Sequence, residues 1–345
     1  MPLSPGDQLG QYEIVGPLGS GGMGDVYRAR DNRLRREVAL KMMADAAVND
    51  VDSLARFDRE THAVAALNHP NILAIHDSGT HNGVPYAVTE LLEGETLADR
   101  LRTGPLAAPR ATEIACQIAE GLAAAHAKGV IHRDIKPENI FLTHEGRSKI
   151  LDFGIARIEK LATLSPSRAS QKSSSAILIG TAGYVSPEQI RGRRADAGSD
   201  VFGLGAVYYE MLTGRRAFVR QSPVETLGAV LRDDPRKYPE TAKVPAELQP
   251  ILFRCLEKDP ADRYQSARDV LLDLRAWQAE VTQESAKRVK FRSVPPWQQR
   301  RSRIYLRAIG GAVLFVFGLF AGSCWERSHY RSSPPPASHT TTTGK

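Results

Sequence analysis

The chain has 345 residues, 42% of them hydrophobic and 25% charged, which fits a globular protein long enough for two compact units and excludes a chain that is fibrous or disordered throughout. Its net charge of +7 is local: eight basic residues and no acid lie between Lys287 and Arg307, so the rest is near neutral and gives no footing for nucleic acid. Cys116, Cys255 and Cys324 form no CxxC pair, which argues against a zinc site or disulfide framework and fits a reducing compartment, and MPLSPGDQLG lacks the basic start and apolar core of a signal peptide.

In chain order, "YEIVGPL", "DVYRAR" and "REVALKMM" read as short strands from Tyr12 onward. A helical stretch from Ser53 to Asn68 follows, then strands at "NILAIHDSG" and "VPYAVTELL". From Thr96 to about Glu280 helical periodicity dominates. "RATEIACQIAEGLAAAHAKG" puts Ile114, Ile118, Leu122 and Ala125 on one face and stops at Gly129. "LGAVYYEMLTG" and "DVLLDLRAWQAE" repeat the pattern, whereas residues 159–176 are Ser-rich and aperiodic and read as a loop. No internal repeat is present. The expectation is an α+β chain: a small sheet-rich part at about 12–92, a larger helical part at about 93–277, a basic linker at 278–303, an apolar block at 304–325 and a low-complexity tail at 326–345.

Three stretches carry chemistry. "LGSGGMGDV" from Leu18 to Val26 holds Gly19, Gly21 and Gly24 as GxGxxG, with Ser20, Gly22, Met23 and Asp25 between and after them. Glycines let backbone N–H groups close on a polyphosphate, but a Gly-rich hairpin is also an ordinary structural device. A dinucleotide fold requires a helix directly after the glycines, and "DVYRARD" reads as a strand instead. Lys41 in "VALK" stands on an apolar strand, where it either snorkels to the surface or meets phosphates, and Glu60 is the carboxylate available to hold it. "GVIHRDIKPENIF" sets His132, Arg133, Asp134, Lys136, Glu138 and Asn139 between two apolar segments that read as buried strands.

"HRDIKPEN" (His132 to Asn139) followed by "LDFG" (Leu151 to Gly154) resembles the eukaryotic-type protein Ser/Thr kinase family, of the membrane-anchored bacterial kind, over roughly Tyr12 to Trp277. The resemblance implies a two-lobed kinase fold and the cofactors ATP and Mg2+. It implies Asp134 as catalytic base, Lys136 on the γ-phosphate, Asn139 and Asp152 as metal ligands, and a Lys41–Glu60 ion pair that positions the nucleotide. It implies nucleotide contacts from the glycine loop, Leu18, Val26, Ala39 and Phe141, with backbone groups at Glu90 and Leu92 on the adenine edge and Thr89 behind it. Thr181 would dock substrate, Glu188 would pair with Arg263, Asp200 would brace the catalytic loop, and His132 and Phe153 would pack between lobes. Ser186 stands where the family usually has Ala, a small departure. Lys136 and the "GTAGYVSPEQ" segment favour serine and threonine over tyrosine or small-molecule acceptors.

"AIGGAVLFVFGLFAGSCW", Ala308 to Trp325, is 18 residues without a charge, about enough to cross a thin bilayer as a helix once extended back to Ile304. The eight basic residues before it place the kinase part in the cytoplasm and can lie on anionic lipid. The expected function is ATP-dependent phosphorylation of Ser/Thr hydroxyls on protein substrates at the cell membrane, with phosphorylation of the chain's own 154–186 segment by a neighbouring copy. Gly318-xxx-Gly322 offers a close-packing face for a homodimer. The rival reading is a pseudokinase scaffold, against which stand Lys41, Glu60, Asp134, Asn139 and Asp152, all present.

Overall fold

The computed structural model describes residues 3–21, 24–43, 61, 63–153 and 182–292. The chain divides into two compact units, Met1–Glu280 and Val281–Lys345, and every element below except the end of the last helix belongs to the first. The first lobe is a six-stranded antiparallel sheet built from β1 (Gln8–Leu9), β2 (Tyr12–Gly21), β3 (Gly24–Asp31), β4 (Arg36–Met43), β5 (Ile75–His81) and β6 (Val84–Glu90), in the order β1-β2-β3-β4-β6-β5. One face is a closed core of Leu9, Tyr12, Ile14, Tyr27, Ala29, Val38, Leu40 and Val88. The alternation of these residues along β3 and β4 fixes the register, because a one-residue slip would turn the whole set to solvent. Two irregularities in the β2–β3 ladder, at Val15 and Leu18, leave both side chains exposed.

The second lobe is helical: α1 (Leu97–Arg102), α2 (Ala108–His126), α3 (Pro187–Ile190), α4 (Ala197–Thr213), α5 (Pro223–Arg232), α6 (Gln249–Cys255) and α7 (Ala267–Arg292). α2 buries the face carrying Ile114, Ile118, Leu122 and Ala125, and the chain reverses at Gly129, whose φ of 74° is the left-handed conformation that glycine takes without strain. α4 is buried on almost all sides, as expected for a helix apolar around its circumference. It starts on a capping box in which Asp196 accepts from Ser199 N and ends on Gly214 at φ 73°. Gly203 and Gly205 bring neighbours against its backbone: a Cβ at Gly203 would meet Ile135 Cβ at 3.0 Å, and one at Gly205 would meet Cys255 Cβ at 2.6 Å.

Helical periodicity concealed a second sheet in this lobe. β7 (Gly94–Thr96), β8 (Ile140–Thr143) and β9 (Ser148–Ile150) form a three-stranded antiparallel ladder. Of the two apolar flanks of the charged loop, only Ile140-Phe141 is a strand; Val130-Ile131 forms no ladder. α7 runs to Arg292, well past Glu280 and into the stretch read as linker, because nothing between Ala267 and Arg292 is Gly or Pro. Arg263, 1% exposed, reaches Glu188, 3% exposed, through two bonds of 2.8 and 2.7 Å, as the sequence implied. Among the described residues no helix is long and apolar enough to cross a membrane. The 304–325 block, the aperiodic loop at 159–176 and most of the helix expected from Ser53 to Asn68 lie outside the described residues.

Candidate active site

The glycine stretch closes a β-hairpin between β2 and β3: Gly19 faces Val26, Ser20 faces Asp25 and Gly21 faces Gly24. Gly24 has φ 121°, open to glycine and strained for other residues. Gly22 and Met23, at the tip, lie outside the described residues. Strand follows glycine here, and the strand–helix geometry of a dinucleotide site is absent from this hairpin.

Behind the hairpin, Lys41 lies opposite Val26 on one side and Ala87 on the other, and Ala39 lies opposite Thr89. Ala39 and Thr89 are each 9% exposed, Leu18 is open at 51%, and Glu90 ends β6 with Leu92 just beyond. Phe141 stands on β8, facing Lys149 across the ladder. Glu60, expected beside Lys41, lies outside the described residues. Among the described residues, Lys41 Nζ donates to Asp152 Oδ2 at 2.5 Å, joining residues 111 apart in sequence.

The charged loop that follows α2 is held by one buried carboxylate. Asp200, 1% exposed, accepts from His132 N at 2.8 Å and Arg133 N at 2.7 Å, and its Oδ2 also contacts His126 Nε2 at 2.8 Å. Arg133 holds φ 69° and Asp152 φ 38°, two non-glycine residues in the left-handed region, a conformation that persists only where surroundings over-determine it. Gln189 adds a bond from Nε2 to Arg133 O at 3.1 Å. His132 is fully buried, its ring 4.8 Å from that of Phe153. Its Nε2 donates to Leu151 O at 2.8 Å and its Nδ1 accepts from Asp134 N at 3.2 Å. Burial pushes its pKa down, so the ring is neutral with both nitrogens used, and it serves packing rather than proton transfer.

Asp134, 4% exposed, is the carboxylate the loop presents. Lys136 Nζ stands 3.0 Å from its Oδ2, and Asn139 Nδ2 donates to Asp134 O at 2.8 Å and to Oδ2 at 3.3 Å. Burial lowers the pKa of Lys136, while the charges of Glu138 and Asp152 pull it back up. With Asn139 Nδ2 turned to Asp134, its Oδ1 is left as an acceptor for a cation. Leu151 N donates to Asn139 O at 2.8 Å, which sets Asn139 and Asp152 on adjoining strand ends. Among the described residues no three His, Cys, Asp or Glu side chains converge as a self-contained metal cage. Asn139 and Asp152 are two hard oxygen donors, a set that fits a cation completing its shell with phosphate oxygens. Thr181 lies outside the described residues.

The sequence reading passed over His126, Gln189 and Lys149. The last donates from Nζ to Glu90 Oε1 at 2.7 Å. Its signal was present in "SKILD", where a lone cation precedes two apolar residues just ahead of Asp152.

A family model described as protein kinase domain matches residues 12–273. The chain is 41% identical over 301 residues to serine/threonine-protein kinase PknB of Mycolicibacterium smegmatis, covering 83% of this chain and 47% of that protein. It is 41% identical over 279 residues to PknB of Mycobacterium tuberculosis, covering 79% and 43%. It therefore spans less than half the length of these curated relatives. The solved PknI kinase domain of Mycobacterium tuberculosis superposes with a TM-score of 0.63 at 27% identity, covering 80% of this chain and 99% of that one.

Proposed function

The chain belongs to the protein kinase domain family, and on that premise we propose that it transfers the γ-phosphate of ATP to serine and threonine hydroxyls of protein substrates. One observation carries the reading: Asp134, Lys136 and Asn139 converge within hydrogen-bond distance, and Asn139 is tied through Leu151 to the strand end bearing Asp152 and its partner Lys41. Phosphoryl transfer asks for positioning and charge neutralisation more than for covalent help. Asp134 accepts the proton of the attacking hydroxyl, and a positioned base contributes roughly 10²–10⁴-fold. Lys136, beside that carboxylate, meets the charge of the transferring group. Lys41 orients the phosphates under the glycine hairpin, and Ala39, Val26, Leu18 and Phe141 hold the base against the Glu90–Leu92 edge. A divalent cation, read as Mg2+, would sit on Asn139 and Asp152 and neutralise charge on the phosphates.

A pseudokinase scaffold has no need of this set, so its joint presence favours the enzyme. Transfer of labelled γ-phosphate from ATP to a generic protein, with Asp134→Asn as comparison, is the test. Equal labelling by the two proteins sinks the assignment.

Ala308–Trp325 supports a membrane anchor, with the kinase lobes in the cytoplasm and the 287–307 basic run on anionic lipid. Two anchored copies would meet through Gly318 and Gly322, and one would phosphorylate the serines and threonines of the other's 154–186 segment, where Arg133 offers a phosphate partner. Retention of the full chain in membranes after a high-salt wash tests the anchor; a basic patch alone would wash off.

A further inference from the structure

Lys149 stands on β9, opposite Phe141, with its side chain 14% exposed. Its Nζ is 2.7 Å from Oε1 of Glu90, whose side chain is 25% exposed. The same oxygen accepts the N–H of Ala74 at 2.8 Å, and Glu90 N donates to Ala74 O at 3.1 Å. Beyond Glu90, residues 91–93 belong to no strand or helix. Their far end is held by His144 N donating to Glu93 O at 3.0 Å, and their near end by Glu90. The strand bearing Lys149 is itself fixed. Ile150 N donates to Asn71 O at 2.9 Å, Leu73 N donates to Ile150 O at 3.0 Å, and Leu151 N donates to Asn139 O at 2.8 Å.

We infer that Lys149 is a positioning residue for the nucleotide: its ammonium clamps the Glu90 side chain and so holds the backbone edge at Glu90–Leu92 at a set spacing from the β8–β9 floor that carries Phe141. The inference rests on the nucleotide reading of that edge. A surface ion pair between two mobile side chains would contribute next to nothing. Here the cation rises from a laddered strand, the carboxylate oxygen is shared with a backbone N–H, and both side chains are mostly buried. A charge-assisted bond with both ends anchored fixes geometry as well as adding energy. The phosphate end is held separately, through Leu151, His132 and Asp200, so loosening Glu90 weakens grip on the base without moving Asp134 or Asp152.

The experiment uses the full chain with Lys149→Met, which removes the cation, and Lys149→Arg, which keeps it. Adenosine affinity is titrated directly, and KM for ATP and kcat are measured with a generic protein acceptor. The expected result for Lys149→Met is about a tenfold rise in both the adenosine Kd and KM for ATP, the scale of one lost charged hydrogen bond. Because binding weakens equally in ground and transition states, kcat stays within about twofold. Lys149→Arg returns both constants to within about threefold of the parent. Unchanged adenosine affinity in Lys149→Met overturns the inference, as does a loss that Arg fails to restore or a fall in kcat at constant KM. A parent chain that binds adenosine but transfers no phosphate would defeat the kinase reading, and the adenosine titration would still decide the clamp.

Discussion

Replacing Arg263 by Met tests whether the buried Glu188–Arg263 pair holds the second lobe together. Arg263 gives Glu188 two bonds, donates from Nε to Glu257 O at 2.7 Å and from a terminal nitrogen to Gly198 O at 3.1 Å, and lies 5.1 Å from the Phe202 ring centroid. Methionine keeps much of the volume and none of the donors. Burial alone would raise the Glu188 carboxyl, but hydrogen bonds from Arg263 and Ser199 and the Arg263 charge outweigh it and hold the pKa at about 2. Against the ordinary carboxyl value of 4.5, that depression corresponds to at most about 3 kcal/mol at neutral pH, because solvent screens part of it. Without the guanidinium, Glu188 is a buried uncompensated charge and the carbonyls of Glu257, Gly198 and Lys258 lose a donor, which puts the total cost at about 3–5 kcal/mol. Urea unfolding followed by circular dichroism should show a lower midpoint at constant slope. The pH dependence carries a second signature. A depressed carboxyl contributes stability that is full above pH 4.5 and lost as pH falls through 2, so the gap between parent and variant should narrow on acidification. Glu188→Gln with Arg263→Met should recover part of the loss, since no buried charge remains. A single Arg263→Met variant within about 1 kcal/mol of the parent would refute the reasoning.

Lys258 Nζ is buried with no hydrogen-bond partner among the described residues and sits 4.0 Å from the Phe218 ring centroid, and burial lowers its pKa to about 8 despite the nearby Asp233 and Asp234 carboxylates. The folded state disfavours the ammonium, so parent stability should rise as pH climbs from 8 towards 10.5; Lys258→Met should gain about 1–2 kcal/mol at pH 7 and lose that advantage by pH 10, read from melting temperatures. A less stable Met variant at pH 7 would show that the aromatic seat outweighs desolvation. Asp200→Asn keeps one acceptor oxygen where the carboxylate serves two backbone N–H groups and His126, and kcat should drop about tenfold or more while adenosine affinity is kept. Asp152→Asn should abolish transfer with the melting temperature little changed, and normal activity at saturating Mg2+ would remove it from the metal site.

Much of this was legible because local patterns and global packing agree. β4 coincides with "REVALKMM", and the glycine hairpin follows from a strand on each side of it. The gathering of Asp134, Lys136 and Asn139 follows from their closeness in sequence. What the sequence hid depends on contacts between distant segments. β7 to β9 are three or four residues each, too short for a period to emerge, and their ladder pairs segments from both sides of α1 and α2. The bond from Lys41 to Asp152 is likewise tertiary, since it joins residues 111 apart in sequence. Lys149 read as one charge among many until Glu90 appeared opposite it.

Gly203 and Gly205 are two positions apart on α4, about 200° around a helix of 3.6 residues per turn. The helix is therefore bare on two opposite sides at one level, with Ile135 of the charged loop pressed on one and Cys255 on the other. Side chains between packed elements act as springs, because a rotamer can yield before the backbone behind it does. On α4 that compliance is missing at both contacts, and only the side chains of Ile135 on one side and of Cys255 and Leu256 on the other remain to yield. A displacement of α6 would reach the peptide after Asp134 across one helix diameter, with no side chain of α4 between them. Each glycine costs the helix about 1 kcal/mol relative to alanine. The return is stiffness, a rigid column that ends one residue from Asp134.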